Sequence, residues 1–332
     1  MSRVRWGILG TARIGTEKVI PAMQSSRYGE VAGIASRSIA RAESAARRLE
    51  IPKYYGSYDD LLADNDVDAV YIPLPNHLHV VWTIRAMMAG KHVLCEKPIA
   101  LNFGEAQLLL QQKKLFPELK VMEAFMYRHH PQWTMTRGIV RDGGIGELRT
   151  VQSFFSYFNT DPGNIRNIRE AGGGSLMDIG CYSVSLSRYL FDQEPLRVIG
   201  LVDRDPVFHT DRMFCGIMEF AAGTSTFTCS TQLQPLQRVV IVGSQGVVEI
   251  DTPFNSLPDW ECGIRLMNKN GVELVSIPPS NQYAEQCDAF SRAILDGNDP
   301  PFTLEDAAAN MRWIELLMKS ADQQQWLSAA KR

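Results

Sequence analysis

Short apolar runs alternate with segments of helical periodicity over the first 124 residues. The predicted strands are Val4–Leu9, Val31–Ser36, Ala69–Ile72, Val93–Cys95 and Val121–Ala124. The predicted helices are Glu17–Gln24, Ile39–Leu49, Ser57–Ala63, Val80–Ala89 and Phe103–Leu115. Strands that are apolar on both faces and alternate with helices indicate a doubly wound parallel sheet.

The pattern changes after Phe125, where a helix over Trp133–Val140 leads into a strand-rich half. The predicted strands there are Glu147–Tyr157, Val198–Val202, Met213–Phe220, Thr224–Gln232, Val239–Val242, Val247–Ile250, Ile264–Met267 and Glu273–Ile277. Polar residues alternate with apolar ones along Thr224–Gln232, which favours a half-covered antiparallel sheet. A helix over Leu176–Leu190 interrupts these strands, and the chain from Gln282 onward is again helical.

We therefore predict an α/β protein of two domains. Residues 1–124 form a Rossmann domain with a doubly wound parallel sheet. Residues 125–332 form an α+β domain for substrate binding and oligomerisation, with a large, open and mostly antiparallel sheet. The final helices are free to pack back on the first domain. A length of 332 residues agrees with two domains.

Composition and charge exclude several classes of protein. Hydrophobic residues make up 45% and charged residues 21%, and the net charge is −3. This balance favours neither nucleic acid nor a membrane surface as the main partner. Apolar runs stay well below the roughly 18 residues of a membrane span. The six cysteines form no CxxC pair, so we expect buried thiols in a reducing cytoplasm.

A glycine-bearing turn follows the first predicted strand and opens a helix. It reads Gly10-Thr11-Ala12-Arg13-Ile14-Gly15. This is the dinucleotide fingerprint with alanine in place of the second glycine. A helix N-terminus presents amides and partial positive charge to a pyrophosphate. We therefore expect residues 10–14 to bind a dinucleotide.

The end of the second strand indicates which dinucleotide. An NAD site carries an acidic residue there to bind the ribose 2′-hydroxyl. This chain reads Ser36-Arg37-Ser38 instead, with Arg41 one helical turn later. A guanidinium and hydroxyls suit a 2′-phosphate, so the predicted cofactor is NADP.

Three further residues predict proton-transfer chemistry. Glu96-Lys97-Pro98 follows the fourth predicted strand, at the edge of the sheet where ligands bind in open α/β folds. Much later, three glycines precede a helix on which Asp178 and Tyr182 stand four residues apart on one face. If these groups meet over a nicotinamide, the lysine ammonium would favour the tyrosinate form, as an acid–base site requires.

These residues resemble the Gfo/Idh/MocA oxidoreductase family over essentially the whole chain. The likeness rests on five segments: GILGTARIG near the N-terminus, Pro73-Leu74-Pro75-Asn76-His77-Leu78-His79, Glu96-Lys97-Pro98, the run GGGSLMDIGCY ending at Tyr182, and Leu304–Met318 with Trp326-Leu327. Tyrosine at position 182, where inositol dehydrogenases carry histidine, is similar to one branch of the family. That branch holds glucose-fructose oxidoreductase, dihydrodiol dehydrogenases, NADP-dependent D-xylose dehydrogenases and keto-sugar reductases. Residues Glu123–Pro131 are similar to the xylose dehydrogenase and keto-sugar reductase members.

The resemblance implies roles for individual residues. Lys97, Asp178 and Tyr182 would be catalytic. Residues 73–79 would lie at the cofactor, with Pro73, Leu74, Pro75, Asn76 and His79 in contact with it, and Glu96 would join them. Phe125, Arg128, His129 and Arg166 are weaker candidates for substrate contact; Arg166 either reaches the pocket or is an ordinary loop arginine.

The resemblance also implies a reaction and an assembly. The expected function is NADP-dependent hydride transfer to or from a sugar or related cyclic alcohol, with an aldose 1-dehydrogenase favoured. A reductase of a keto-sugar or dicarbonyl, a dihydrodiol dehydrogenase and a non-catalytic NADP sensor remain alternatives. Homodimers or homotetramers would form through the open face of the second sheet. The pair His77 and His79 lacks further ligands at a workable spacing, so no metal is expected.

Overall fold

The structure is a computed structural model that describes residues 3–329. The chain forms two compact units. One comprises the chain up to His129 together with Asn281–Met311, and the other comprises His130–Ser280 and the chain from Arg312 onward. Residues 125–129 and 281–311, which the sequence analysis assigned to the second domain, are thus grouped with the first unit.

The first unit is built on a six-stranded parallel sheet. Its elements are β1 (Val4–Leu9), α1 (Ile20–Gln24), β2 (Gly29–Ala35), α2 (Ile39–Arg48), β3 (Lys53–Tyr55), α3 (Tyr58–Leu62), β4 (Ala69–Ile72), α4 (His79–Met88), β5 (His92–Cys95), α5 (Phe103–Lys113) and β6 (Val121–Glu123). The strand order β3-β2-β1-β4-β5-β6 is that of a dinucleotide-binding Rossmann sheet.

Two local features of this unit differ from the prediction. The three-residue strand β3 was missed, because so short a run carries no periodicity. The first helix begins with a π turn over Gly15–Val19, and α1 proper is only Ile20–Gln24.

The second unit is built on an eight-stranded sheet. Its elements are α6 (Pro131–Arg141), β7 (Leu148–Phe158), α7 (Cys181–Phe191), β8 (Arg197–Arg204), β9 (Asp211–Glu219), β10 (Thr224–Ser230), β11 (Gln232–Gly243), β12 (Gly246–Ile250), β13 (Cys262–Asn268) and β14 (Gly271–Ile277). The strand order is β14-β13-β12-β11-β7-β10-β9-β8. Only the pair β7–β10 is parallel, so the predicted mostly antiparallel sheet, and with it the fold class, is confirmed.

Two helices end the chain: α8 (Gln282–Leu295) and α9 (Leu304–Gln323). Residues 296–303 separate them, so the predicted continuous helical end was too long. Helix α8 completes the core of the first unit: Phe290 packs against Trp6 of β1, whose indole N–H donates to Ser291 Oγ at 3.2 Å.

The two faces of the eight-stranded sheet differ in whether helices cover them. Helix α7 lies on one face, where Ser183 Oγ accepts from Ser153 Oγ at 2.8 Å. The C-terminal part of α9 lies on the same face, since Gly200 donates its N–H to Ser320 Oγ at 3.2 Å. Leu201, next to Gly200, points the other way and is 69% exposed.

The cross-strand register defines this second face, which we call the open face. One row runs Leu201–Cys215–Thr228–Phe154 and a second runs Ile199–Ile217–Thr226–Gln152. Together with Val240 these residues line a broad, shallow depression.

Candidate active site

The turn after β1 requires its first glycine. Gly10 has φ +122° and is buried, and a Cβ there would lie 3.0 Å from Leu74 Cδ2. Its N–H donates to the carbonyl of Ala35, at the end of β2, at 2.9 Å. Thr11 and Ala12 are half-buried in the turn, so the expected pyrophosphate position lies where β1 meets the following helix.

Hydroxyl and guanidinium groups follow β2. Ser36 is buried and its Oγ accepts from the Ser38 N–H at 3.3 Å. Ser38 is the N-cap of α2, but its hydroxyl makes no capping hydrogen bond. Arg37 and Arg41 are exposed, and the positive charge of Arg37 acts on the Tyr58 hydroxyl, whose pKa burial raises and Arg37 lowers. This donor set carries positive charge and no carboxylate, as a phosphate monoester requires.

The two other predicted cofactor-binding residues of the fingerprint lie at the start of the helix, and their contact with the cofactor stays a prediction. Arg13 and Ile14 are exposed on the outer side of the helix. The Arg13 guanidinium pairs with Glu17 at 2.9 Å.

The segment after β5 is held by three contacts. Lys97 is half-buried, and its peptide bond to Pro98 is cis. Before it, Glu96 Oε1 accepts from the buried Tyr71 hydroxyl at 2.5 Å. After it, the Ile99 N–H donates to Glu123 Oε1 at 2.7 Å.

His79 makes the third contact. The ring has no exposed surface, and its two nitrogens lie 2.7 Å from the carbonyl oxygens of Leu74 and Pro98. The ring is thus held between two backbone carbonyls, and its predicted contact with the cofactor stays a prediction. His79 joins the Pro73–Asn76 loop to the segment after Lys97. Pro75 and Asn76 in that loop are half-buried, and His77 is exposed.

Two of the weaker substrate candidates in the first unit, Phe125 and Arg128, are buried. Phe125 is 3% exposed. The Arg128 side chain is 3% exposed, forms an ion pair with Asp306 Oδ2 at 2.5 Å and lies over the Phe302 ring. Its charge is therefore already paired with a carboxylate, and its substrate contact stays a prediction. His129 packs edge-on against Phe302, and burial lowers its pKa to about 3.

In the second unit, Asp178 is the centre of a side-chain network. Its Oδ2 accepts from Arg166 Nε at 2.9 Å and from the Tyr157 hydroxyl at 2.6 Å. Burial, followed by the Asp178 charge, raises the pKa of Tyr157, so this hydroxyl stays protonated and donates. Asp178 in turn raises the pKa of Arg166. The side chain of Arg166 therefore reaches the catalytic candidate, one of the two possibilities that its sequence position left open.

Tyr182 stands on the same helix within an aromatic wall. It is 5% exposed. Its ring lies 5.2 Å from that of Phe254 and 5.8 Å from that of Phe155. Phe254 is stacked on Trp133, whose indole N–H donates to the Pro253 carbonyl at 2.6 Å. The wall restricts the orientation of the Tyr182 ring.

The helix that carries these residues begins with a π turn over Leu176–Gly180, where an α-helix was predicted. Turns of this kind occur frequently at functional sites. Sequence reasoning missed Tyr157 and the aromatic wall. The position of Tyr157 near the end of a predicted strand was the only available signal.

The comparisons with known proteins identify the family of this chain. Residues 4–115 match the oxidoreductase family with an NAD-binding Rossmann fold that is named GFO_IDH_MocA, and residues 133–249 match a GFO/IDH/MocA C-terminal domain. The chain belongs to the Gfo/Idh/MocA oxidoreductase family. The resemblance predicted from the sequence is thus confirmed, and the protein is an oxidoreductase.

Relatives within the family match nearly the whole chain. An uncharacterized oxidoreductase of Rhizobium meliloti is 43% identical, covering 98% of this chain and 99% of its own. D-xylose 1-dehydrogenase (NADP(+)) 2 of Haloferax volcanii is 37% identical, covering 96% and 97%. A solved 3-ketoreductase of Actinomadura kijaniata, in complex with NADP and TDP-benzene, superposes with a TM-score of 0.90 at 28% identity, covering 96% and 98%.

Among residues 3–329, no helix is both long and apolar enough to cross a membrane. The same residues hold no group of three or more His, Cys, Asp or Glu side chains arranged for a metal ion.

Proposed function

We propose that this protein is an NADP-dependent oxidoreductase that acts on a sugar or related cyclic alcohol, most simply as an aldose 1-dehydrogenase. The observation that carries the proposal is the helix of the second unit, which presents Tyr182 in its aromatic wall and Asp178 in a fixed hydrogen-bond network. The 37% identity to a D-xylose 1-dehydrogenase that uses NADP(+) supports the substrate class.

The residues of the first unit fit NADP. Gly10 allows the tight turn after β1 at φ +122°, the task of the first glycine in the dinucleotide fingerprint. Ser36, Arg37, Ser38 and Arg41 would hold the 2′-phosphate, since they offer hydroxyls and cationic groups without an opposing carboxylate. When bound, the nicotinamide supplies a hydride acceptor or donor.

Each catalytic candidate has a distinct task. In the oxidative direction, Tyr182 would take the proton of the substrate hydroxyl. Asp178 would orient the substrate, because two donors already fix its carboxylate in position. We assign Lys97 to the same reaction from its motif; its ammonium group would stabilise negative charge on the substrate oxygen.

A second candidate is hydride transfer in the other direction, from NADPH to the carbonyl carbon of a keto-sugar or dicarbonyl. The structural likeness to a 3-ketoreductase, with a TM-score of 0.90, favours it. The two possibilities share cofactor and residues and differ in substrate. Assays of NADPH formation across aldoses, polyols and dihydrodiols, beside NADPH consumption with keto-sugars and dicarbonyls, decide between them. Activity with none of these substrates would contradict the proposed function.

Cofactor preference has its own test. Fluorescence titration should show tighter binding of NADP than of NAD. Arg37→Asp should weaken NADP binding at least tenfold, whereas Arg48→Asp, an equal charge change near the other end of α2, should have little effect. Equal affinities of the wild-type protein for the two cofactors would contradict the assignment.

We also propose that the protein forms homodimers or homotetramers through the open face. Leu201 and Ile217 on this face are 69% and 40% exposed. Beside Phe154 and Val240 they form an apolar surface of the kind that pairs with a copy of itself around a two-fold axis.

A further inference from the structure

A buried aspartate contacts the start of the helix that carries Asp178 and Tyr182. Asp211, the first residue of β9, is 4% exposed. Its Oδ2 accepts from Ser175 Oγ at 2.8 Å and from the backbone N–H of Leu176 at 2.6 Å. These two residues begin the π turn, so the carboxylate caps the helix from a neighbouring strand.

The fit between Asp211 and the glycine turn is close. Gly174 has φ +117°, and a Cβ there would lie 1.9 Å from Asp211 Oδ1. On its other side, the Gly174 N–H donates to the carbonyl of Arg166 at 2.9 Å. The turn is therefore fixed between Asp211 and the loop residue whose side chain binds Asp178.

The contacts of the carboxylate are hydrogen bonds from Ser175 and Leu176, and the charge of Arg204 on the neighbouring strand acts on it without forming an ion pair. Within the described part of the chain, Asp211 has no ion pair, and burial raises its pKa to about 6. A negative charge is favourable at the first turn of a helix, where the backbone N–H groups carry partial positive charge. Burial of a carboxylate is costly unless its hydrogen bonds are kept. Because the donors to this carboxylate lie on one turn, the turn is stabilised in the geometry that keeps those bonds.

The turn that Asp211 fixes leads directly to the candidate catalytic residues. The Leu176 carbonyl accepts from the Cys181 N–H, which closes the π turn. The Asp178 N–H donates to the Gly174 carbonyl at 3.0 Å. Leu176 is thus anchored by its N–H to Asp211 and by its carbonyl to the residue preceding Tyr182.

We propose that Asp211 is a positioning residue, which acts through Ser175 and Leu176 to set the π turn and thereby the placement of Asp178 and Tyr182. The effect of Asp211 on catalysis rests on the proposed function. Its effect on the π turn does not depend on that function. Asp211 touches neither of the two catalytic candidates, so its effect belongs to their orientation.

The test compares two isosteric variants. Asp211→Asn keeps the shape of the side chain and removes the carboxylate. Asp205→Asn is the matched control: Asp205 is 7% exposed and accepts from the N–H groups of Val207 and Phe208 and from Gln232 Nε2, none of them on this helix. Ser175→Ala removes one of the two donors to Asp211 and provides a milder variant, should Asp211→Asn fail to fold.

Two measurements are made on each variant. Hydrogen exchange should be faster in peptides covering residues 174–182 for Asp211→Asn and Ser175→Ala, and unchanged there for Asp205→Asn. With the substrate found in the activity assays, Asp211→Asn should lower kcat about tenfold, with KM and the Kd of NADP within twofold. The double variant Asp211→Asn/Ser175→Ala should be little worse than Asp211→Asn, because both act through one contact.

The outcomes separate the two claims. The role of Asp211 is overturned if hydrogen exchange over residues 174–182 is unchanged in Asp211→Asn and in Ser175→Ala. It is also overturned if the kcat of Asp211→Asn equals that of Asp205→Asn. If the wild-type protein shows no NADP-dependent activity, the proposed function fails, and the exchange data alone decide whether Asp211 fixes the turn.

Discussion

The two sheets present their candidate functional residues in different ways. In the six-stranded sheet, Gly10, Arg37 and Lys97 follow the carboxyl ends of β1, β2 and β5, so the course of the backbone places them. In the eight-stranded sheet, Asp178 and Tyr182 lie on a helix, and side chains from β7, a loop and β9 hold that helix and its residues.

This difference has a consequence for substitutions. Where the backbone places a group, the sensitive positions are glycines and strand ends. Where side chains place a group, residues far apart in the sequence become sensitive, and the loss is gradual as contacts are removed. Substitutions can therefore disturb each of these two arrangements separately.

Apart from the loss of Tyr182 itself, the largest effect should follow from removing the charge of Asp178. Asp178→Asn should lower kcat about a hundredfold or more, because Arg166 loses its carboxylate partner and the substrate its orienting group. Tyr157→Phe removes one donor and should lower kcat about tenfold. Asp192→Asn, a surface carboxylate at the end of α7 that pairs with Arg137 and Arg141, is the control. Equal kcat values for Asp178→Asn and this control would rule out the network.

The next prediction compares a glycine from each unit, Gly174 and Gly10. Gly174→Ala would place a Cβ 1.9 Å from Asp211 and should destabilise the protein by about 3 kcal/mol in urea unfolding. Gly10→Ala would meet Leu74 at 3.0 Å and should mainly weaken NADP binding. Gly297→Ala, with φ +71° and open space around it, isolates the cost of the backbone conformation at about 1 kcal/mol. A Gly174→Ala loss no larger than that of Gly297→Ala would contradict the close fit.

The proposed association through the open face predicts a mass in solution larger than that of one chain. Light scattering at micromolar concentration should give two or four times the chain mass of 37.2 kDa. Leu201→Glu should shift the protein to single chains, since a charge would be buried in the interface. Val207→Glu, at a turn residue that is 74% exposed, should leave the mass unchanged. A wild-type protein that remains a single chain would show that this face does not associate.

The smallest effect concerns pH. The pKa of Asp211 rises from 3.8 to about 6 on folding, so its contribution to stability is full below pH 3.8 and is lost as the pH rises through 6. The wild-type protein should therefore lose about 1–3 kcal/mol of unfolding free energy between about pH 4 and pH 7 relative to Asp211→Asn. Asp205, whose pKa is lowered by its hydrogen bonds, should show the opposite sign. Equal slopes for the two variants would contradict the burial of Asp211.

The sequence predicted the backbone-determined part of the molecule best. Ala69–Ile72 is a strand with the predicted bounds, because four apolar residues between turns leave little choice. In β11 only Val239–Val242 was predicted, since Gln232–Gln237 is polar and contains Pro235. The pairing of the strands with one another was not readable from either segment.

The same limit applies to the candidate site. Motifs identified Asp178 and Tyr182, but the partners of Asp178 come from a loop and from the end of β7, at separations of 12 and 21 residues. Likewise, the motif that contains His79 did not predict the burial of its ring or its two contacts with backbone carbonyls, because neither can be seen in a residue pattern. Side-chain contacts over long separations require the fold itself.

The central claim is that Tyr182 transfers the proton in an NADP-dependent reaction. The most direct measurement is the single-turnover rate of NADPH formation, with the accepted substrate, for Tyr182→Phe and Tyr189→Phe. Tyr189 lies on the same helix, where Arg137 covers its ring at 4.3 Å. We predict a loss of about 10²–10⁴-fold for Tyr182→Phe, with NADP affinity unchanged, and a near wild-type rate for Tyr189→Phe. A Tyr182→Phe rate within a few-fold of wild type would contradict the account.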